Sequence, residues 1–193
     1  MSQNQLFPVF LKIEHLKILL VGGGNVGLEK LGALLNNCKT VRVDVVAGYF
    51  HPDLVKLVGE VQNVNLMERH FEWGDLEGKD VVILATDNPG LHQEIKAETT
   101  KRNLLTNVAD TPDLCDFYLG SIVQKGDLKI GISTNGKSPT FAKRFREFLE
   151  EILPNDLQEL LDNLYEYRAI LKGDFEEKVK KLNELTNSVM SKK

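Results

Sequence analysis

Three glycines carry the first chemical signal. Gly22, Gly24 and Gly27 fall in G-x-G-x-x-G spacing inside "LLVGGGNVGLEK", residues 19–30. Each has a distinct task in a dinucleotide cradle. Gly22 permits a tight turn, Gly24 lets backbone approach a pyrophosphate, and Gly27 allows a helix to pack close to a strand. The amides at the following helix N-terminus then face the anion, with a favourable helix dipole. A glycine-rich turn with no ligand has the same composition, so the flanking elements must separate the two readings.

Those elements are the required ones. Lys17–Val21 (KILLV) is a continuous apolar run, as expected of a strand covered on both faces. Val26–Asn36 carries apolar residues at 28, 31, 34 and 35, which is helical spacing. Further strands are read at Val41–Ala47, Val64–Arg69, Val81–Thr86 and Leu104–Val108, and helices at Asp53–Val58 and Leu91–Arg102. Strands alternating with helices imply parallel pairing through right-handed crossovers. The expected fold class is α/β, a Rossmann-type doubly wound parallel sheet.

After Asp110 the pattern changes. Ser121–Val123 and Leu128–Ile132 flank "QKGD" and read as a hairpin-like pair. Ser138–Pro139 is a helix start, with serine as N-cap and proline in the first turn, and that helix should run to about Ile152. Asn155–Lys172 is a second amphipathic helix, broken by Gly173. Asp174 and Glu177 have capping-box spacing ahead of a third. The expected organisation is a dinucleotide-binding domain over residues 1–112, a small hairpin-and-helix dimerisation segment over 113–153, and a helical end over 154–193.

The adenosine side of the cradle departs from the common pattern. Many such sites place Asp or Glu at the end of the second strand, to hold the ribose. Here that end reads "VVAGYF"; Asp44 lies mid-strand, and no arginine stands ready for a 2′-phosphate. Backbone at Gly48 and Tyr49 must then hold this side, and the choice between NAD and NADP stays open.

Composition narrows the class. The chain has 193 residues and a net charge of −4, which argues against a general nucleic-acid binder. No apolar run approaches the ~20 residues that span a bilayer, and no secretory signal is read at the N-terminus. Cys38 and Cys115 match no metal or redox spacing; a disulfide stays open, with a reducing compartment favoured. His15, His51, His70 and His92 are scattered, so no structural metal is expected. His92 lies near the expected cofactor edge but reads as a helix-surface residue. A cytoplasmic protein is expected.

Four further stretches sharpen the reading: "FPVFL" (7–11), "ATDNPGLHQEI" (85–95), "TNVADTPDLCDF" (106–117) and "ISTNGKSPTFAKRFREFLE" (132–150). In this order around "VGGGNVG", the chain resembles the precorrin-2 dehydrogenase family, the N-terminal half of siroheme synthase, over about residues 6–155. The resemblance implies NAD-dependent oxidation of precorrin-2 to sirohydrochlorin, in a homodimer. Some members also insert ferrous iron, as a substrate, to give siroheme. It further implies that Asp110 is the catalytic residue, and that Asn25, Val26, Gly48 and Tyr49 contact the dinucleotide. Gly27 stands where the family usually has alanine, which the fingerprint tolerates. The methyltransferase half of the fused enzyme is absent at this length, so methylation is not expected.

The implied chemistry can be weighed against the residues. Oxidation of the macrocycle releases a proton, and metal insertion releases protons from pyrrole nitrogens. A carboxylate at the C-terminal edge of the sheet suits either as general base. On residue type alone Asp110 reads first as a cap for the turn at Thr111–Pro112; the resemblance shifts it to catalysis. Thr86 and Asp87 complete the candidate cofactor set, with the nicotinamide expected near Thr86 and Asp110. The substrate's many carboxylates favour an anion-friendly loop, for which Ser133, Thr134, Asn135, Gly136, Lys137 and Ser138 are the candidates ahead of a helix N-terminus. Lys143, Arg144 and Arg146 read equally well as a solvated basic face. The competing class is a nucleotide-sensing regulatory module without catalysis. Such modules usually keep the acidic residue after the second strand, and they would leave "NVAD" and "STNGKSP" unexplained.

Overall fold

Five apolar segments build one parallel sheet. They are β1 (Lys17–Val21), β2 (Arg42–Ala47), β3 (Val64–Glu68), β4 (Val81–Leu84) and β5 (Leu105–Val108), in the spatial order β3-β2-β1-β4-β5. The computed structural model describes residues 4–59, 61–171 and 175–190. Helices α1 (Asn25–Asn37), α2 (Pro52–Val58) and α3 (Pro89–Lys101) connect the strands. The central strand shows why both faces are covered. Ile18 and Leu20 pack with Leu31, Leu34 and Leu35 of α1, while Leu19 and Val21 pack with Leu84, Ile95 and Val108. Alternation along a strand sends successive side chains to opposite faces, so an unbroken apolar run buries itself twice. This is the Rossmann-type doubly wound sheet, and the chain order reverses direction at β1 and β4.

Asp44 explains the polar break in β2. Its carboxylate takes hydrogen bonds from Lys79 Nζ at 2.5 Å and Asn65 Nδ2 at 2.8 Å, well inside the strand. Burial pushes its pKa up, but the Lys79 and Asn65 bonds outweigh this and hold it below the ordinary carboxylate value. It is a structural ion, not a ribose ligand.

Two compact units divide the described residues: 7–119, and 120 onward together with 4–6. The second contains β6 (Ser121–Lys125) and β7 (Leu128–Ile132), an antiparallel pair turning at Gly126 (φ +57°) and Asp127. It continues as α4 (Pro139–Ile152), α5 (Leu157–Ile170) and α6 (Phe175–Met190). Gln158 of α5 clamps the hairpin tip, accepting from the Asp127 amide at 2.7 Å and donating to its carboxylate at 3.0 Å. Lys125 Nζ donates to the Leu153 carbonyl at 2.6 Å. Helix α4 starts as its sequence demands: Ser138 Oγ accepts from the Phe141 amide at 3.1 Å, with Pro139 in the first turn. Helix α5 begins at Leu157, two residues later than Asn155, because Pro154 ends α4 and a turn intervenes. The break expected at Gly173 and the cap expected at Asp174 lie outside the described residues.

Candidate functional site

The glycine loop sits between β1 and α1, at the C-terminal edge of the sheet. Its glycines are required for different reasons. Gly22 has φ +120°, and a Cβ there would run into the Ala85 carbonyl. At Gly27 a Cβ would strike the Gly22 carbonyl, and at Gly23 the Tyr49 carbonyl and Phe50 ring. Those three are fixed by the protein's own packing. Gly24 is different: φ is −80° and a Cβ would meet nothing within 4 Å. Neither backbone geometry nor packing explains a glycine here.

Gly24 is also the N-cap of α1, and no side chain caps that helix. The first helical amides therefore have no side-chain cap, and the space beside Gly24 is open. That combination fits a pyrophosphate, which would take the amides of Asn25, Val26 and Gly27 and occupy the space over Gly24. The loop is strapped to the end of β2 by bonds from the Gly22 amide to the Val46 carbonyl (2.9 Å) and from the His51 amide to the Gly23 carbonyl (2.8 Å). Gly48 and Tyr49 lie in that strap, both exposed.

Two residues that strand patterning does not reveal lie near Gly48, at the ends of β2 and β3. His70, just after β3, stands over Gly48: a Cβ on Gly48 would lie 3.4 Å from its imidazole Cε1. Arg69 is near the same edge, but Asp75 holds its guanidinium in two bonds of 2.6 and 2.9 Å. Those bonds hold the Asp75 carboxyl below its ordinary pKa. The parallel pairing of β2 with β3 could have pointed to His70, since Ala47 aligns with Glu68.

Thr86 and Asp87 follow β4, beside the glycine loop; the Thr86 amide nitrogen is 3.1 Å from where a Gly22 Cβ would stand. Thr86 Oγ1 is 2.8 Å from His92 Nε2. Here the surface reading of His92 is corrected: the residue is only 4% exposed. Helix α3 turns His92, Ile95 and Thr99 inward, so the histidine lies on the buried stripe. The i, i+3, i+7 spacing of those three was the available signal. Burial lowers the His92 pKa, and Asp87 opposes that only in part.

Asp110 follows β5 on the same edge. Its backbone is left-handed (φ +56°), its side chain is exposed, and its carboxylate has no hydrogen-bond or ion-pair partner among the described residues. It does not cap the turn at Thr111–Pro112. The turn is held instead by Cys115 and Asp116, which close the outer edge of β5. Asp116 accepts from the Thr106 amide at 2.9 Å and is itself held by Lys96 Nζ at 2.6 Å. Burial pushes the Cys115 thiol pKa up.

Ser133 to Ser138 belong to the other unit, between β7 and α4. Asn135 (φ 53°) and Gly136 (φ 74°) are consecutive left-handed residues. Thr134 organises the loop, its carbonyl accepting from the Lys137 amide and its hydroxyl from the Ser138 amide. Ser133 Oγ accepts from the Asn135 amide at 3.2 Å. Of the basic residues on α4, Arg146 is paired with Glu150 at 2.8 Å. Among the described residues no three His, Cys, Asp or Glu converge as metal ligands, and no helix is long and apolar enough to cross a membrane.

Fold and cradle define a dinucleotide-binding protein of the Rossmann type. A family model described as "Putative NAD(P)-binding" matches residues 9–121, and another, "Sirohaem biosynthesis protein central", matches residues 125–152. The chain belongs to this NAD(P)-binding family. The siroheme synthase of Psychrobacter arcticus is 35% identical over 167 residues, covering 86% of this chain and 30% of that protein. That of Pseudoalteromonas translucida is 34% identical over 176 residues, covering 91% and 35%. The chain thus spans about a third of the length of these curated relatives. Among solved structures, "SirC, precorrin-2 dehydrogenase" has a TM-score of 0.72 at 22% identity, covering 93% of this chain and 89% of that one. It bears out the fold.

Proposed function

We propose that this chain oxidises precorrin-2 to sirohydrochlorin with NAD as hydride acceptor. One observation carries the proposal: an exposed, unpartnered carboxylate, Asp110, stands on a left-handed turn at the same sheet edge as the open cradle over Gly24. The name of the relatives, siroheme synthase, supports a tetrapyrrole substrate.

In this reading the amides of Asn25, Val26 and Gly27 bind the pyrophosphate, and Gly48 and Tyr49 take the adenosine side. Thr86 and Asp87 line the path toward the nicotinamide. NAD is favoured over NADP because the nearby guanidinium of Arg69 is held by Asp75, leaving it poorly placed for a 2′-phosphate. The dinucleotide supplies the hydride acceptor. Asp110 accepts the proton that leaves the macrocycle, at a carboxylate oxygen free of competing bonds. Its left-handed backbone sets the direction of the side chain, a strain of the kind held at functional sites. If ferrous iron is inserted as a second substrate, the same carboxylate takes protons from pyrrole nitrogens.

Ser133 to Ser138 are proposed to bind substrate carboxylates, chiefly through Lys137 and the loop amides. A homodimer in the cytoplasm is also proposed. Its support is the stripe of Phe141, Phe145, Phe148 and Ile152 along α4, each at least 39% exposed in the single chain. The division into a dinucleotide-binding domain over 1–112, a dimerisation segment over 113–153 and a helical end over 154–193 is likewise proposed.

Anaerobic incubation with precorrin-2 and NAD tests the proposal. NADH and sirohydrochlorin should appear together, and ferrous iron added afterwards reports chelation separately. NAD binding without oxidation would replace the proposal with a sensing module.

A further inference from the structure

His92 is a buried ionisable group that the proposed reaction leaves without a task. It lies in the first turn of α3, immediately after the segment that carries Thr86 and Asp87. At 4% exposure the imidazole can present almost no surface to a ligand. What it touches is the Thr86 hydroxyl, 2.8 Å from Nε2. That hydroxyl also accepts from the Asn88 amide at 3.4 Å. Thr86 is half-buried, and its amide nitrogen lies 3.1 Å from where a Gly22 Cβ would stand, so the residue flanks the glycine loop.

A threonine hydroxyl has one proton and two lone pairs, and left alone it rotates to suit any neighbour. A fixed partner on one side removes that freedom and fixes the remaining donor or acceptor position in one direction. Burial lowers the ring's pKa and so favours its neutral form, which offers one donor and one acceptor rather than two donors. The gain is pre-organisation: a ligand meeting a hydroxyl already oriented loses less entropy on binding.

We propose that His92 is a positioning residue of the dinucleotide site, orienting the Thr86 hydroxyl toward a ribose hydroxyl or the carboxamide of the dinucleotide without contacting it. This rests on reading the Gly22–Gly27 loop as a dinucleotide cradle. A purely structural histidine would stabilise α3 against the sheet, and its loss would act on affinity independently of Thr86.

A double-mutant cycle in NAD affinity separates the two, with turnover playing no part. Calorimetric titration of NAD into the full chain should show Thr86→Val and His92→Phe each weakening binding about 5–10-fold, the scale of one buried hydrogen bond. The double variant should lose little more than either single one. His92→Gln, which keeps a donor and an acceptor, should stay within about twofold of the original. Melting curves check that each variant folds, and His92→Ala takes the place of His92→Phe in the cycle if the latter unfolds. Unchanged affinity on losing the imidazole overturns the proposal, as does a double variant whose loss is the product of the two, or a His92→Gln that binds as poorly as His92→Phe. A starting protein that binds no NAD overturns the cradle reading itself, and this inference with it.

Discussion

The thiol of Cys115 satisfies both backbone polar groups of Val108. The Val108 amide donates to Sγ at 3.2 Å, and the thiol donates to the Val108 carbonyl at 3.2 Å. Val108 ends β5, an edge strand, so these groups point away from the sheet with no strand to meet them. The same thiol reaches the Thr111 carbonyl at 3.5 Å and so spans the turn that carries Asp110. Cys115→Ser keeps a donor and acceptor and should retain most turnover. Cys115→Val should lower kcat about tenfold or more while NAD affinity holds, because the Val108 amide loses its partner, the Val108 carbonyl keeps only the Thr111 amide, and the turn relaxes. Steady-state kinetics beside NAD titration checks this; an equal fall in both would point to general unfolding.

The glycine loop predicts a split between folding and binding. Gly24→Ala adds a methyl group to open space, so its melting temperature should stay within a few degrees, yet NAD binding should weaken at least about tenfold through obstruction of the pyrophosphate. Gly22→Ala forces a Cβ against the Ala85 carbonyl at φ +120° and should cost about 3 kcal/mol or more. Thermal melts and NAD titrations on the two variants decide it.

Acid should weaken the fold through His92. Its pKa is lowered in the folded chain, so the unfolded chain binds the proton more readily. The contribution is fully present above the unfolded value of 6.5 and is lost as pH falls from there through the folded pKa. His92→Gln should therefore flatten the decline in melting temperature between about pH 7.5 and 5.5 relative to the parent chain. A decline of the same steepness in both would assign it to other groups. Asp44 and Asp75, also lowered, add their loss only below their unfolded value of 3.8.

The parallel sheet was legible because strands such as β1 and β4 must be apolar on both faces, and the α4 start because Ser138 and Pro139 have specific capping chemistry. The cradle was legible as a motif, but the sequence could not say which glycine packing demands and which it leaves open. His92 was misplaced because its residue type suggested surface, whereas helix periodicity with Ile95 and Thr99 buries it. The contacts of Cys115 with Val108 and of His70 with Gly48 were missed because they depend on the path of the chain beyond β5 and β3. No local spacing encodes that path.

Asp110 carries the central claim, and asparagine is its best probe. Asparagine tolerates the left-handed backbone at φ +56° better than alanine, so Asp110→Asn removes the base and spares the turn. The measurement is anaerobic NADH formation from precorrin-2 by the parent chain and by Asp110→Asn, with NAD affinity measured on both. The account predicts oxidation by the parent, a fall of about 100-fold or more in the variant, and unchanged NAD affinity. Oxidation by Asp110→Asn at the parent's rate would contradict it.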